Sequence, residues 1–316
     1  MGPARSGPLP FLITVDVEGD DIWSRPRTVT TANAAFVPRL HRLCERYGLR
    51  PTYLTTFEMA TCPEFRAFGR EVLRQAQGEI GMHLHAWNSP PDLPLTAEDH
   101  RHHPYLTLYP EPVMREKIVC LTRALEEAFE TPVRSHRGGR WALNEIYARL
   151  LVESGYRVDS TVTPHVCWRS TSGSPVDRQG PDYSRFPEAP YFLDLDDISR
   201  PGTSPLLEVP VTTWRIDFES SGARPDTPAP YVVRWLRPNG RNLATLRSIA
   251  TRAIEDRRDC LVLMLHSSEL MPGGSPTFPG PEDVEALYRD LDALFRTVTG
   301  SVRGATLTEF RQTWSS

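Results

Sequence analysis

With 316 residues, 39% of them hydrophobic, the chain can bury a full core as one large α/β domain or as two ordinary ones. Its 40 acidic side chains nearly balance 36 basic ones, and the net charge of −4 removes any broad electrostatic reason to expect nucleic acid or an anionic membrane as a partner. A neutral or weakly charged substrate fits that balance better.

Residues 1–8 read as a flexible tail ahead of a single domain at 9–314. The start of the chain lacks a basic stretch followed by a long apolar one, and the apolar run 11–15 is too short to span a bilayer, so a soluble, cytoplasmic protein is expected. Cys44, Cys62, Cys120, Cys167 and Cys260 are odd in number, scattered and without a C-x-x-C pair, which fits reduced thiols in a reducing compartment. Lys117 is the only lysine, a bias that carries no functional reading.

Along the chain, short β-branched apolar runs alternate with longer stretches of helical period, the pattern of βα units around a parallel sheet. Strands are expected at 11–17, 51–56, 79–84, 133–136, 157–162, 206–212 and 261–265, with a weaker one near Val302. Helices are expected at 34–47, 64–77, 112–129, 142–154, 243–256 and 282–297. Gly48 and Gly155 lie just behind the first and fourth helices, and Pro63 opens the second. Seven or eight strands, most followed by a helix, predict a distorted (β/α)7–8 barrel. The connections 86–111, 163–205 and 213–241 are too long for ordinary loops and leave the C-terminal strand ends, where such barrels place their active sites.

The residues at those ends carry chemistry. The first strand ends in Asp16-Val17-Glu18, the third in His83-Leu84-His85, the fourth in His136-Arg137, and the seventh is followed by His266; Asp159 and Glu208 lie in the fifth and sixth. His83 and His85 are two apart, so an extended backbone turns both imidazoles to one side, and with a carboxylate they form a two-His, one-carboxylate set of the catalytic zinc or iron type. Asp16 and Glu18 share that spacing, so one can serve as ligand while the other stays free as a base. Asp20 and Asp21 belong to a turn. Arg137 supplies a fixed positive charge suited to holding Asp16, and His266 is placed to act as a general acid. Trp87, Trp141, Trp168, Trp214 and Trp235 fall in or near the mouth-side connections, as sugar-stacking faces or as loop anchors.

In content and order these segments resemble the NodB-homology polysaccharide deacetylases, carbohydrate esterase family 4. Thr14 to Glu18 is similar to the first motif, Glu79 to His83 to the approach to the second, Arg137-Gly138-Gly139 to the third, Asp159-Ser160 to the fourth and Leu263 to His266 to the fifth. A closer resemblance is to a deacetylase-like subgroup carrying DVEGD, HLHxW, SHRxGRW, WLRPNG and HSSELMPGG segments. The resemblance implies a metal-dependent N-deacetylase with Glu18 and His83 on the metal, Asp16 as base and His266 as acid; strand geometry adds His85 as the other metal histidine, with Arg137 expected to orient Asp16 and Asp159 to hold His266. Trp87, Arg140, Trp141 and Glu269 become the expected substrate contacts. The implied cofactor is a divalent metal ion, zinc first, with cobalt, nickel, manganese or iron as substitutes. The implied substrate is a carbohydrate or a glycosylated small molecule.

Two departures from the family pattern stand out. Its paired aspartates are here an Asp and a Glu separated by Val17, which leaves the base and ligand roles exchangeable, and its second histidine, four residues after the first, is here Trp87, so either His85 takes that place or the metal has only one histidine. Glu58, Asp20 and Glu208 are the reserve ligands. Two other readings remain: hydrolysis of a different C–N bond, in a cyclic amide or imide, and a non-catalytic carbohydrate-binding barrel that has lost its metal.

Overall fold

The computed structural model describes residues 7–24, 28–170, 180–217 and 231–314. In chain order its elements are β1 (Leu9–Val17), α1 (Val37–Glu45), β2 (Thr52–Thr55), α2 (Phe57–Thr61), α3 (Pro63–Arg74), β3 (Glu79–Leu84), α4 (Asp99–His102), α5 (Glu111–Phe129), β4 (Ser135–Gly138), α6 (Glu145–Glu153) and β5 (Val158–Asp159). They continue with β6 (Tyr191–Phe192), β7 (Leu207–Glu208), β8 (Thr213–Asp217), β9 (Tyr231–Trp235), α7 (Leu243–Glu255), β10 (Leu261–His266), α8 (Pro281–Val298), β11 (Val302–Gly304) and α9 (Leu307–Thr313).

All eight expected strands enter one curled sheet in the order β10-β1-β2-β3-β4-β5-β7-β6, with β11 also on β1; every pairing in it is parallel except that of β6 with β7. This is the distorted (β/α) barrel that the strand count predicts. β1 lies between β10 and β2, and all nine of its residues are buried, as expected of a parallel strand covered on both faces. Phe11, Ile13, Val15 and Val17 join the core beneath the helices, whereas Leu12 meets Leu54, Val158, Leu207 and Val262 inside the barrel. Leu307 and Phe310 of α9 belong to that inner cluster. Outside, α5 buries Met114, Ile118, Leu121 and Leu125, a spacing of three and four residues that makes one face of a helix. Each such side chain contributes ~1.5–3 kcal/mol on burial.

β5 and β7 are shorter than the sequence suggests. Beyond Asp159, the N–H of Thr161 goes to Asp159 Oδ2 and that of Val162 to Glu208 Oε1, so side chains replace ladder partners. Beyond Glu208, Pro210 interrupts the ladder, and the chain changes sides: Val211 N donates to Val162 O, then Thr212 N to Val262 O of β10. Thr212 returns the contact, accepting from Val262 N through Oγ1 at 2.8 Å, and Leu236 bridges Thr212 and Met264 through its backbone. These bonds span the gap between the two ends of the parallel array.

The antiparallel hairpin of β8 and β9, the edge strand β6 and the short helices α2, α4 and α9 were not expected from the sequence. Residues 1–6 of the expected tail, and parts of the long connections at 171–179 and 218–230, lie outside the described residues. Among the described residues no helix is long and apolar enough to cross a membrane.

Candidate metal centre and barrel mouth

Parallel register sets Asp16 of β1 opposite His266 of β10, and His83 of β3 opposite Arg137 of β4. Residues paired in this way point to the same side of the sheet, and here that side is the barrel interior. His85 and Glu18 follow one step beyond the ends of β3 and β1.

Glu18 Oε2 lies 3.0 Å from His85 Nε2 and 3.6 Å from His83 Nε2, and the two Nε2 atoms are 3.1 Å apart. A tetrahedral ion with bonds of ~2.0–2.1 Å sets its donors about 3.3–3.4 Å from one another. The three observed separations bracket that value. His83 Nδ1 faces the carbonyl of Arg137 at 2.9 Å, which fixes the proton on Nδ1 and leaves the Nε2 lone pair turned to the cluster. Glu18 Oε1 and His85 Nδ1 are buried with no hydrogen-bond partner, a costly state for a carboxylate that a cation would relieve. The donor set, the spacing and the orphaned oxygen all fit a divalent ion.

Electrostatics keep this carboxylate charged. Burial pushes the Glu18 carboxyl up, but the imidazoles of His266, His83 and His85 outweigh it and hold the group well below the usual carboxylate range. Burial pushes His85 down, while His83 is raised because Asp16 and Glu18 overcome its own burial.

Asp16 receives Arg137 Nη1 on Oδ1 at 2.6 Å and faces His266 Nε2 with Oδ2 at 3.8 Å. Arg137 is wholly buried and spends its other donors on Thr14 Oγ1, Ser160 Oγ and the Ser160 carbonyl. Burial would raise Asp16; the Arg137 charge, with those of His83 and His266, brings it below its ordinary value. His266 Nε2 also lies 3.9 Å from Glu18 Oε1, so the imidazole looks onto both carboxylates.

The partner of His266 differs from the one expected. Strand alternation sends Val158 and Ser160 into the barrel and Asp159 outward, where its Oδ1 is 2.5 Å from His136 Nδ1 and accepts from Thr161 Oγ1. Asp159 therefore cannot hold His266. Glu269 and Arg237 do so instead: Glu269 Oε2 accepts the His266 backbone N–H at 2.8 Å and lies 3.5 Å from Nδ1, Arg237 Nη2 lies 3.2 Å from that Nδ1, and Glu269 Oε1 pairs with Arg237 at 2.7 Å. Glu269, where a substrate contact was expected, is only 1% exposed and has both oxygens engaged by His266 and Arg237.

The reserve ligands are committed elsewhere. Glu58 accepts from Gly19 N, Asp20 accepts from Thr30, Ala32 and Asn33, and Glu208 faces outward on β7. The glycines beside Arg137 serve close approach more than flexibility, since a Cβ on Gly138 would meet the Ala142 carbonyl oxygen at 2.1 Å and one on Gly139 that of Leu84 at 2.4 Å. Arg140 and Trp141 then take consecutive left-handed conformations, at φ 55° and 61°. Backbone of this kind costs ~1–3 kcal/mol per residue and persists where its surroundings enforce it.

The enforcement is aromatic. Trp141 stacks on Trp168 at 5.9 Å between ring centres and tilts against Trp235 at 5.8 Å, while the Arg137 guanidinium lies 5.4 Å over its ring. Three of the five tryptophans singled out thus form one cluster beside Asp16 and its arginine. Trp87 packs edge-on against His85 at 4.5 Å, Arg140 lies over Tyr105, and Trp214 is held under Arg258. Thr14, Asn33, Ser160, Arg237 and Ser267 reach the site without having been singled out; Thr14 and Ser160 were readable as polar residues at inward positions of apolar strands.

No protein-family profile and no curated protein sequence matches the chain. Solved structures match its fold. A putative polysaccharide deacetylase from Mycobacterium smegmatis superposes with a TM-score of 0.54 at 17% identity, over 99% of this chain and 93% of that one. A 4-α-glucanotransferase from Thermococcus litoralis gives 0.54 at 12% identity, over 97% of this chain but only 39% of the larger enzyme. A GH57 branching enzyme from Thermococcus kodakaraensis gives 0.53 at 11% identity, over 98% and 72%. At such identities the shared property is the barrel.

Proposed function

We propose that this chain is a metal-dependent amide hydrolase that removes an acyl group, N-acetyl foremost, from an amino sugar or a sugar-bearing metabolite. The observation that carries this reading is the convergence of two carboxylates with opposite duties at one mouth. Glu18 faces two imidazole nitrogens, as a ligand does, whereas Asp16 is held by an arginine with one oxygen left towards His266. The barrel shared with the mycobacterial protein and the order of the sequence motifs support the same class.

A divalent ion held by Glu18, His83 and His85 would supply Lewis acidity, polarising the acyl oxygen and acidifying water. The other steps belong to the chain's own groups. Asp16, kept ionised by Arg137, takes a proton from the attacking water on Oδ2, the oxygen that Arg137 does not occupy. The water oxygen bonds to the acyl carbon and the C–N bond breaks. His266, whose Nε2 lies 3.8 Å from Asp16 Oδ2 and whose backbone N–H is held by Glu269, hands a proton to the departing amine, and a carboxylic acid and an amine leave the mouth.

Acetate release separates this reading from its rivals, because a cyclic amide yields no acetate and a binding barrel yields no product. Zinc- or cobalt-loaded protein is expected to release one acetate per amine formed from N-acetylated amino sugars. Turnover of a ring amide without acetate, or full metal occupancy without turnover of any acylated sugar, would overturn it.

A further inference from the structure

Glu18 lies just past the last ladder positions of β1, which are Asp16 opposite His266 and Val17 opposite Thr55. Its backbone is buried with the rest of the site, so its N–H and C=O need partners that the sheet no longer supplies. Gly19 follows it, so nothing in the local sequence stiffens the segment.

Three side chains from three other parts of the chain take up this slack. Ser267 Oγ accepts the Glu18 N–H at 3.1 Å and donates back to the Glu18 carbonyl at 3.1 Å. Asn33 Nδ2 donates to the same carbonyl at 2.8 Å and to Asp20 Oδ1 at 2.7 Å, tying residues 18 and 20 together. Glu58 Oε1 accepts the Gly19 N–H at 3.0 Å. Asn33 and Ser267 have no exposed surface. Ser267 also follows His266 directly, so the hydroxyl that fixes the carboxylate ligand is carried by the strand end that presents the imidazole.

We propose that Ser267 and Asn33 are positioning residues for Glu18, and that they set the metal affinity of the site by holding the Glu18 backbone where its carboxylate meets His83 and His85. The inference rests on Glu18 being a metal ligand. Rotation at residue 18 swings Oε2 away from the two nitrogens, and the ring nitrogens of His83 and His85 bond elsewhere than to the backbone that prevents it. A purely structural role makes a different prediction, namely lost stability with unchanged affinity for the ion.

The test is Zn2+ titration of chelator-stripped full-length protein in competition with a chromophoric chelator, with the thermal transition of the metal-free protein as a folding control. Ser267→Ala and Asn33→Ser are each expected to weaken Zn2+ by ~10- to 100-fold while stoichiometry stays at one, as outer groups around a metal site do. Ser267→Thr, which keeps the hydroxyl, is expected to restore the wild-type value. Should Ser267→Ala not fold, Asn33→Ser carries the comparison. Wild-type affinity in the folded variants overturns the positioning role and leaves Glu18 as ligand. A wild-type protein that takes up no Zn2+ overturns the ligand reading itself, and the positioning role with it.

Discussion

Arg137 donates from Nη1 to Asp16 Oδ1 at 2.6 Å, and neither side chain is more than 2% exposed. The pair bridges β4 and β1 across the barrel interior, with Thr14 and Ser160 satisfying the rest of the guanidinium. Removing one member leaves the other as an uncompensated buried charge. Arg137→Met is therefore expected to cost ~3–5 kcal/mol, read as a lowered urea midpoint. Asp16→Asn keeps the shape but removes the carboxylate proposed as base, and is expected to cut the proposed deacetylation by ~10²- to 10⁴-fold. An unshifted midpoint in Arg137→Met would contradict the pairing.

The triad makes a separable prediction about composition. Wild-type protein saturated with Zn2+ and then desalted is expected to retain about one equivalent by elemental analysis. His83→Ala, His85→Ala and Glu18→Gln should each lower that value. His85 is the informative member, because it stands two residues after His83 where the resembling family has its second histidine four residues on. Full retention of metal by His85→Ala would remove it from the site.

Acid should weaken the fold through Glu269. Its carboxyl is held at about 2, against an ordinary 4.5, because Arg237 and His266 outweigh the upward push of burial. A depressed acid stabilises the folded state above its unfolded value and loses that contribution as pH falls towards its folded one. Between pH 4.5 and about 2 the native state should thus lose roughly 3 kcal/mol from this group, whose side chain is buried. In Glu269→Gln that segment of the stability profile should be flatter, as measured by urea unfolding across the acid range. Identical slopes in the two proteins would exclude the assignment.

The barrel was legible in the sequence because hydrophobic period and strand length are local properties, and every run of apolar β-branched residues became a strand of the sheet. The triad was legible for a similar reason, since i, i+2 spacing fixes facing directly. Asp159 was misread because motif order said nothing of which way the strand faced. Its neighbours could have corrected this, as Val158 and Ser160 alternate with it and only one set can point inward. Asn33 and Ser267 carry no such signal. They lie 15 and 249 residues from Glu18, in a stretch of no marked composition and behind a histidine that claimed the attention. The β8–β9 hairpin escaped notice because its strands flank a long polar connection.

The misplaced aspartate supplies the last prediction. On the outer face of the sheet, His136, Asp159 and Glu208 stand side by side in register on β4, β5 and β7, all without exposed surface. His136 reaches Tyr147 of α6 through Nε2 at 2.8 Å. Burial and the neighbouring Asp159 charge push the Glu208 carboxyl far up, so it stays neutral, whereas the Asp159 carboxyl is lowered because His136 beside it outweighs burial. This is a polar joint between sheet and helix, shut off from the mouth by the strands themselves. Asp159→Ala should cost ~3–5 kcal/mol, since it strands the buried His136 without its carboxylate partner. Glu208→Gln, a neutral replacement for a neutral group, should cost less than Asp159→Ala. The proposed deacetylation, per folded molecule, should survive both, whereas His266→Ala should lose it with little change in the unfolding midpoint. A stable Asp159→Asn protein with the catalytic defect of His266→Ala would return Asp159 to the active site.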